Sequence, residues 1–448
     1  MRAYKIVFLF RLKIFRKSFI VIFPKLSKFP RNGKRKNCKR ENHALRREWK
    51  GDNVCLQLGK WGRVYVLHGM PGRHAFQAVF IHALLHSAQL IDEKKQKFRF
   101  FSREKAAFLY FCKNYLSDTM NDLKQIKWGF IGCGEVTEKK SGPAFNAVEG
   151  SQVVAVMSRK AEKAQSYAER HGVKRWYTDP QELVNDREVN AVYIATPPST
   201  HATYAIMAMK SGKAVYVEKP MASNYEDCCR INRIAESTGV PCFVAYYRRY
   251  LPYFQRVFQL VADGAVGKVV NVQIRFAVPP RDLDYNRTNL PWRVQADIAG
   301  GGYFYDLAPH QIDLLQQMFG PIIEAEGYTA NRGGLYAAED TLSACFRFEN
   351  GLPGSGSWCF VAHESAKEDR IEIVGDKGSL TFSVFNYDPI LLQNSDGRQE
   401  IVVENPPYVQ LPLIKNVVEH LQNRAICNCD CVSATSVNWV VDRVLGKF

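Results

Sequence analysis

Residues 128–134 read Trp128-Gly129-Phe130-Ile131-Gly132-Cys133-Gly134, an apolar run that passes directly into a glycine-rich turn. A buried strand that enters such a turn and then a helix is typical of dinucleotide binding, because glycines let the backbone approach a pyrophosphate at the helix N-terminus. Thr137 stands where the third glycine of that pattern is expected, and Gly142-Pro143 interrupts the following helix. On its own, this glycine pattern indicates an ordinary structural turn just as well as a cofactor-binding turn. The residues predicted to contact a cofactor here are Gly132, Cys133, Gly134, Glu135 and Val136.

Around this turn, residues 120–246 alternate short apolar runs with helical stretches. Near-continuous apolar runs are typical of parallel strands that are buried on both faces. The alternation predicts an α/β unit with a doubly wound parallel sheet, the Rossmann arrangement. Ser223-Asn224-Tyr225-Glu226 is predicted to be a capping box that begins a helix ending at Gly239. The predicted strands are Trp128–Ile131, Val153–Met157, Ala191–Ala195, Ala214–Val217 and Cys242–Tyr246.

Residues 247–448 have a different pattern, with consecutive strand-like stretches joined by short turns. This pattern predicts an α+β domain with a large open, mostly antiparallel sheet. A helix over Asp306–Phe319 should pack on that sheet, and two final helices, near Leu413–Gln422 and Ser436–Leu445, are candidates to pack back on the first half. The predicted strands are Val269–Val278, Ile322–Thr329, Thr341–Glu349, Gly356–Ala362, Arg370–Val374, Leu380–Phe385 and Ile401–Glu404.

The positive charge of the chain is confined to residues 1–119. That segment holds 27 Lys and Arg against 7 Asp and Glu, whereas the rest of the chain holds 34 against 37. The near-neutral remainder gives no indication of a nucleic-acid partner. We expect residues 1–119 to be an upstream extension without a fold of its own, with Met120 as the true start. The competing interpretation is a basic arm for nucleic acid or a membrane surface.

Cysteine usage and hydropathy indicate a cytoplasmic protein with reduced thiols. Several of the twelve cysteines, such as Cys133 and Cys242, lie inside apolar runs, where buried free thiols are usual. The one-residue gaps of Cys427-Asn428-Cys429-Asp430-Cys431 do not match zinc spacing, so a surface loop is favoured and no metal is expected. No apolar stretch approaches the length of about 20 residues that a membrane helix needs.

The end of the second predicted strand bears on cofactor choice. An acidic residue there would bond the ribose hydroxyls of NAD, but the sequence has Ser158-Arg159-Lys160. A hydroxyl and two cations suit the 2′-phosphate of NADP, so NADP is preferred over NAD. The alternative is that Arg159 and Lys160 are solvated residues at a helix start.

Two further loops follow predicted parallel strands, at the sheet edge where ligands bind in such folds. Thr196, Pro197 and Pro198 form a rigid turn, and His201 beyond them is expected to be a cap or surface residue rather than a catalyst. Glu218-Lys219-Pro220 ends the next strand, and proline stops its continuation. Lys219 there is a candidate clamp for cofactor and substrate hydroxyls. An ordinary Glu–Lys surface pair is the alternative.

The segment from Gly300-Gly301-Gly302 to Asp313 is the candidate catalytic helix. Asp306 and His310 are four residues apart on one helix face, and Asp313 shares that face. Imidazole can accept a hydroxyl proton near neutral pH, and a neighbouring carboxylate would orient it and raise its basicity. The glycines allow a ligand or another backbone to approach closely.

Together these motifs resemble the Gfo/Idh/MocA oxidoreductases, named for glucose–fructose oxidoreductase and inositol dehydrogenase. The resemblance extends from Lys127 to the end of the chain. It implies that Lys219, Asp306 and His310 are catalytic, that Trp292 and Arg293 touch the cofactor, and that Arg248 lines the substrate pocket with Asp306 and His310. The other residues given to the cofactor are Thr196, Pro197, Pro198, His201, Glu218, Ser158, Arg159 and Lys160.

The resemblance implies an NAD(P)-dependent oxidoreductase that acts on a sugar, polyol or related small hydroxy compound. His310 would accept the proton, Asp306 would orient His310, and Lys219 would steady the reacting oxygen. The family also implies a homodimer or homotetramer formed through the sheet of the second domain. A redox-assisted glycosidase and a non-catalytic NADP(H) sensor are the alternatives.

Removal of residues 1–119 is expected to leave activity and heat stability unchanged, because that segment shows no sustained helical or strand period. Melting temperature and turnover of residues 120–448, compared with the full chain, measure this. A large fall in melting temperature would instead show that the extension packs onto the body.

Overall fold

The computed structural model describes residues 124–448 in full and, before them, only the backbone of four strands. These pair as two antiparallel hairpins, β1 (Ile6–Arg11) with β2 (Ser18–Phe23), and β3 (Val54–Leu58) with β4 (Arg63–Leu67). The expectation that residues 1–119 lack a fold of their own falls mostly outside the described residues and stays a prediction. Residues 124–448 lie within one compact unit.

The first half of that unit contains a six-stranded sheet in which every pair of neighbours is parallel, as the sequence predicts. The strand order is β10-β9-β8-β5-β6-β7. The three-residue strand β7 was not predicted, because none of its side chains is fully buried and it forms no apolar run. The strands are β5 (Ile126–Ile131), β6 (Ser151–Met157), β7 (Arg175–Tyr177), β8 (Ala191–Ile194), β9 (Ala214–Val217) and β10 (Cys242–Val244).

Six helices flank this sheet, and their ends follow local chemistry. Asn224, not a box of Ser223 with Glu226, caps α6, since its side chain accepts a hydrogen bond from the Asp227 N–H at 2.8 Å. The break at Gly142-Pro143 is present and separates α1 from α2. The helices are α1 (Glu135–Lys139), α2 (Gly142–Ala147), α3 (Ala161–His171), α4 (Pro180–Asn185), α5 (His201–Lys210) and α6 (Tyr225–Thr238).

The second half contains an eight-stranded, mostly antiparallel sheet of order β12-β13-β14-β11-β15-β16-β17-β18, and only the β11–β14 pair is parallel. Strand β17 was not predicted, and β14 and β18 begin three and four residues before their predicted starts. The strands are β11 (Val269–Ala277), β12 (Ile322–Ala330), β13 (Thr341–Phe348), β14 (Pro353–Cys359), β15 (Glu368–Gly375), β16 (Gly378–Phe382), β17 (Ile390–Asn394) and β18 (Gly397–Ile401).

The long helix α9 packs on this sheet. The Phe304 ring meets Trp358 of β14 edge to face at 4.9 Å, and the Trp358 indole N–H donates to Gln311 Oε1 at 2.7 Å. These contacts fix the rotation of the helix that carries Asp306 and His310. The helices of this half are α7 (Pro252–Ala262), α8 (Ala296–Ala299), α9 (Tyr303–Phe319), α10 (Leu411–Leu421) and α11 (Cys431–Val444).

The last helix, α11, returns to the first half and packs against α6. The Asp442 carboxylate accepts from the Tyr225 N–H at 2.7 Å, and the Thr435 hydroxyl accepts from the Asn232 amide at 2.8 Å. Helix α11 begins at Cys431, five residues before the predicted start, because Asp430 caps it through the Ser433 N–H. The N-terminus of α6 is thereby held by the C-terminal end of the chain.

The prediction of a surface loop at Cys427–Cys431 is wrong, since all three cysteines are buried. The segment runs beside the edge strand β10, where the Val244 N–H donates to the Cys429 carbonyl at 2.9 Å. The Cys429 thiol donates back to the Val244 carbonyl at 3.1 Å. Across residues 124–448 no cluster of His, Cys, Asp and Glu has the arrangement of a metal site. Within the same part of the chain, no helix has the length and apolar character needed to span a membrane.

Replacing Gly142 with alanine is expected to destabilise the protein, because a Cβ there would lie 2.0 Å from the Thr137 carbonyl oxygen. The backbone must shift, and overpacking of this kind lowers the free energy of unfolding by about 1–3 kcal/mol. Urea or thermal unfolding measures the effect. Gly134→Ala is the matched control, since a Cβ at Gly134 meets no atom within 4 Å. Equal stability of the two variants would contradict the tight contact.

Candidate active site

In the glycine turn after β5, Gly134 leaves room for a ligand and Gly132 leaves room for the neighbouring loop. Gly132 has a φ of +107°, and a Cβ there would lie 2.7 Å from the Ala195 carbonyl oxygen of the next strand end. Gly134 faces open space just before α1, whose first residues are Glu135 and Val136. The turn therefore fits the close approach of a phosphate to backbone N–H groups.

The side chains next to these glycines point inward. Cys133 is buried with its thiol directed at the Met157 carbonyl 3.5 Å away, and burial raises the pKa of the thiol to about 12. Thr137, in place of a third glycine, is buried and donates to the Gly134 carbonyl at 2.7 Å. Cys133 can therefore contribute to the predicted cofactor site through its backbone, and Thr137 braces the turn from within.

The segment Ser158-Arg159-Lys160 lies directly after β6, as predicted. Ser158 Oγ accepts from the Lys160 backbone N–H at 3.4 Å, so its hydroxyl lies next to the N-terminus of α3. Arg159 and Lys160 are exposed, and among the described residues neither side chain has an ion-pair partner. Two solvated cations at this strand end are compatible with an added phosphate.

His201 is a buried tie between two loops, so the expectation of a cap or surface residue is wrong. Its side chain faces the carbonyl of Thr196 through Nε2 at 2.6 Å and that of Pro220 through Nδ1 at 3.0 Å. Burial lowers the pKa of this imidazole. The ring braces the Thr196-Pro197-Pro198 turn from behind, and a direct contact between His201 and cofactor stays a prediction.

Glu218 is also buried, which excludes the alternative of an ordinary Glu–Lys surface pair. Its Oε1 accepts from the Tyr193 hydroxyl at 2.6 Å and from the Gln410 amide at 2.7 Å. Gln410 stands just before α10, so the final part of the chain holds the strand end that carries Lys219. No local pattern indicates a role for Gln410, which is 192 residues from Glu218.

Lys219 and Asp306 form the ion pair at the centre of the site. Lys219 Nζ lies 2.7 Å from Asp306 Oδ1 and 2.9 Å from the Asp306 backbone oxygen, and both side chains are less than 15% exposed. Arg293 Nε approaches the other carboxylate oxygen at 3.2 Å, with its guanidinium stacked on Trp292. Burial raises the pKa of Asp306, but Lys219 and Arg293 outweigh that effect and lower it, so the carboxylate is ionised.

The expected contact between His310 and a carboxylate is absent within residues 124–448. Asp306 is engaged by cations, and the Asp313 carboxylate accepts from Arg249 Nε at 2.8 Å and from Arg249 Nη2 at 2.5 Å. His310 is buried and its Nδ1 has no hydrogen-bond partner. The prediction that Asp306 orients His310 is wrong, because residues distant in sequence pair with both carboxylates first.

The surroundings of His310 keep it neutral. Burial lowers the pKa of the imidazole well below its ordinary value, and the cations Arg248, Lys219 and Lys140 lower it further. The predicted rise in basicity is therefore also wrong. A neutral imidazole with a free ring nitrogen can accept a proton, and it remains neutral at pH values where an exposed histidine would be charged.

Breaking the central ion pair is expected to show strong coupling between its members. Asp306→Asn leaves the buried Lys219 ammonium without its carboxylate, which costs about 3–5 kcal/mol in free energy of unfolding. Lys219→Met should cost less, because Arg293 still faces Asp306. The double variant should cost less than the sum of the two, with an interaction energy of roughly 0.5–3 kcal/mol. Urea unfolding of the four proteins measures it. Additive losses would show that the pair is not a unit.

Both halves of the described unit match models of known protein families. A model described as an oxidoreductase family with an NAD-binding Rossmann fold matches residues 126–246, and one described as a GFO/IDH/MocA C-terminal domain matches residues 254–381. Oxidoreductase P35 of Formosa agariphila is 36% identical over 322 residues, which cover 72% of this chain and 99% of that protein.

Other relatives carry more specific names. The 1,5-anhydro-D-fructose reductase of Ensifer adhaerens is 28% identical over 286 residues, covering 62% of this chain and 83% of that protein. Among solved structures, levoglucosan dehydrogenase in complex with NADH and levoglucosan has a TM-score of 0.66 at 21% identity, covering 72% of this chain and 96% of that one. That likeness shows a shared fold. Because family models match both halves in order, the chain belongs to the Gfo/Idh/MocA family and is a nicotinamide-dependent oxidoreductase acting on CH–OH groups.

Proposed function

We propose that this enzyme transfers a hydride between nicotinamide and a carbinol or carbonyl carbon of a sugar, polyol or related hydroxy compound. The observation that carries the proposal is the buried Lys219–Asp306 pair one helical turn from His310, a histidine with no carboxylate partner among the described residues. When bound, nicotinamide would accept or return the hydride at its C4 atom. The protein's own part is then to hold the substrate oxygen and to move its proton.

His310 and Lys219 take these two tasks. His310, neutral in the free enzyme, accepts the hydroxyl proton during oxidation and returns it during reduction. A lysine ammonium has three N–H donors, and two of those of Lys219 are used by the Asp306 carboxylate and backbone oxygen. The third is left for the reacting oxygen. Asp306 orients the Lys219 ammonium rather than the His310 imidazole.

The names of relatives support a sugar-like substrate. Several curated relatives are named as reductases or dehydrogenases of anhydrosugars and inositols, among them the scyllo-inositol 2-dehydrogenase of Bacillus subtilis. These names favour a dehydrogenase over a redox-assisted glycosidase or a non-catalytic sensor. Direction and substrate identity are tested by following NADPH and NADH absorbance with sugars, inositols and keto-sugars.

NADP is the proposed cofactor. The support is the pair of exposed cations Arg159 and Lys160 beside the Ser158 hydroxyl, where an acidic residue would favour NAD. We also propose an oligomer formed through the eight-stranded sheet, in the cytoplasm. Residues of β13 alternate between buried and more exposed, so one face of this sheet is largely open.

Replacing Ser158 and Arg159, which follow β6, is expected to shift cofactor preference from NADPH toward NADH. Ser158→Asp with Arg159→Ala places a carboxylate where the 2′-phosphate would lie and removes a charge-assisted contact worth about 10- to 150-fold in affinity. Titration of NADPH and NADH by fluorescence measures the preference. Arg187→Ala is the control. Arg187 is exposed and precedes β8, so it lies at the amino-terminal ends of the parallel strands, away from Ser158. Tighter NADH than NADPH binding by the unaltered enzyme would disprove the assignment.

Removing the imidazole of His310 is expected to lower kcat by about 10²–10⁴ with little change in cofactor affinity. Because burial, and then the nearby cations, lower the pKa of His310, alcohol oxidation should lose activity only below the ordinary histidine pKa of about 6.5. Steady-state rates across pH, with melting temperature as the folding control, measure both. Full activity of folded His310→Ala, or an acid limb above pH 6.5, would contradict the assignment.

A further inference from the structure

Arg248 is a buried arginine without a carboxylate partner in the described part of the chain. It is 6% exposed, and its hydrogen bonds go to neutral groups, from Nε to the Val384 carbonyl at 3.1 Å and from Nη1 to the Tyr247 hydroxyl at 2.5 Å. Its Nη2 has no partner among residues 124–448, yet it is not sealed from solvent. Buried charges in proteins are normally paired, so this end of the guanidinium is suited to an anion that the protein does not supply.

Arg248 and His310 contact the same two aromatic rings, those of Tyr247 and Phe385. The guanidinium lies 5.0 Å from the centre of the Tyr247 ring and 4.8 Å from that of Phe385. The same two rings stand edge to face against His310, at 5.4 and 6.2 Å between centroids. An anion on Arg248 would therefore be within the span of a sugar-sized molecule whose hydroxyl reaches His310.

The charged side chains that act on His310 are all cations, and within residues 124–448 only one of them has a carboxylate partner. Lys219 is matched by Asp306, but Lys140, exposed on the loop between α1 and α2, has no ion-pair partner among the described residues. The Asp369 carboxylate interacts electrostatically with Arg248, but the hydrogen bonds that its oxygens accept come from the backbone N–H groups of the segment 384–386, at 2.5 to 3.1 Å. The charge of Arg248 is therefore only partly balanced from within.

We propose that the substrate carries an oxyanion, a carboxylate or a sulfate or phosphate ester, which binds the free end of the Arg248 guanidinium. The two terminal nitrogens of arginine present parallel N–H groups, which match two oxygens of such an anion. Lys140 adds a second, solvated charge that acts on His310. This inference rests on the proposed function and narrows its substrate class from sugars and polyols in general to acidic ones.

Matched pairs of compounds test the proposal with the full-length enzyme and NADP⁺. D-Glucuronate is compared with D-glucose, D-galacturonate with D-galactose, and the 6-sulfate and 6-phosphate of D-glucose with the parent sugar. At least one acidic member should exceed its neutral partner in kcat/KM by about 10- to 150-fold, the range of a charge-assisted hydrogen bond. The arm that responds identifies carboxylate, sulfate or phosphate.

Substitution then assigns the preference to one side chain. Arg248→Met keeps a long side chain against the rings but removes the charge, and it should abolish the preference, measured as the ratio of kcat/KM for the acidic compound to that for its neutral partner. Arg248→Lys should retain part of the preference for acidic compounds, because the positive charge stays while the paired N–H groups of the guanidinium are lost. Arg187→Met, which removes an exposed charge at the far edge of the parallel sheet, should leave the preference intact.

A binding readout keeps the outcome independent of turnover. The same compounds are titrated by calorimetry into the NADPH-loaded enzyme and into Arg248→Met. Tighter binding of an acidic member, lost in Arg248→Met, supports the inference. Equal binding of acidic and neutral members, or acidic binding that survives the substitution, overturns it. Turnover of neutral sugars in that case leaves the proposed function standing, whereas absence of both turnover and binding across the panel overturns both.

Discussion

The buried ion pair between Lys219 and Asp306 is the constraint on which the rest of the site depends. It joins the end of β9 to the first turn of α9, across 87 residues of sequence. Each charge is costly to bury alone, so the two halves must meet at this point. His310 lies one turn further along α9, and its place over the edge of the parallel sheet is therefore fixed by a contact in which it takes no part.

Most of the fold could be predicted because buried parallel strands have a strong signature. Near-continuous apolar runs marked five of the six strands of the first sheet. Strand β7 has only three partly exposed residues, so it has no such signature. The cysteine segment 427–431 was misassigned for a related reason: its burial comes from a backbone pairing with β10, and nothing in local hydropathy indicates that pairing.

The identities of the site residues could be predicted, but their partners could not. Helical spacing places Asp306 beside His310, and that geometry is real, yet a carboxylate pairs with whichever cation tertiary structure brings nearest. Here those cations, Lys219 and Arg293, come from a strand end and a loop outside α9. The result reverses the electrostatics of the histidine: spacing alone predicts a more basic imidazole, whereas packing produces a less basic one.

The return of α11 to the first half has a consequence for how the protein is made. The cofactor-binding half comes first in the described sequence, yet its helix α6 is held by Thr435 and Asp442, close to the C-terminus. Domains synthesised early commonly fold while the ribosome is still extending the chain. This one cannot acquire its last contacts until nearly every residue has been translated, so throughout synthesis of the second half the nascent chain exposes the side of α6 that α11 later covers.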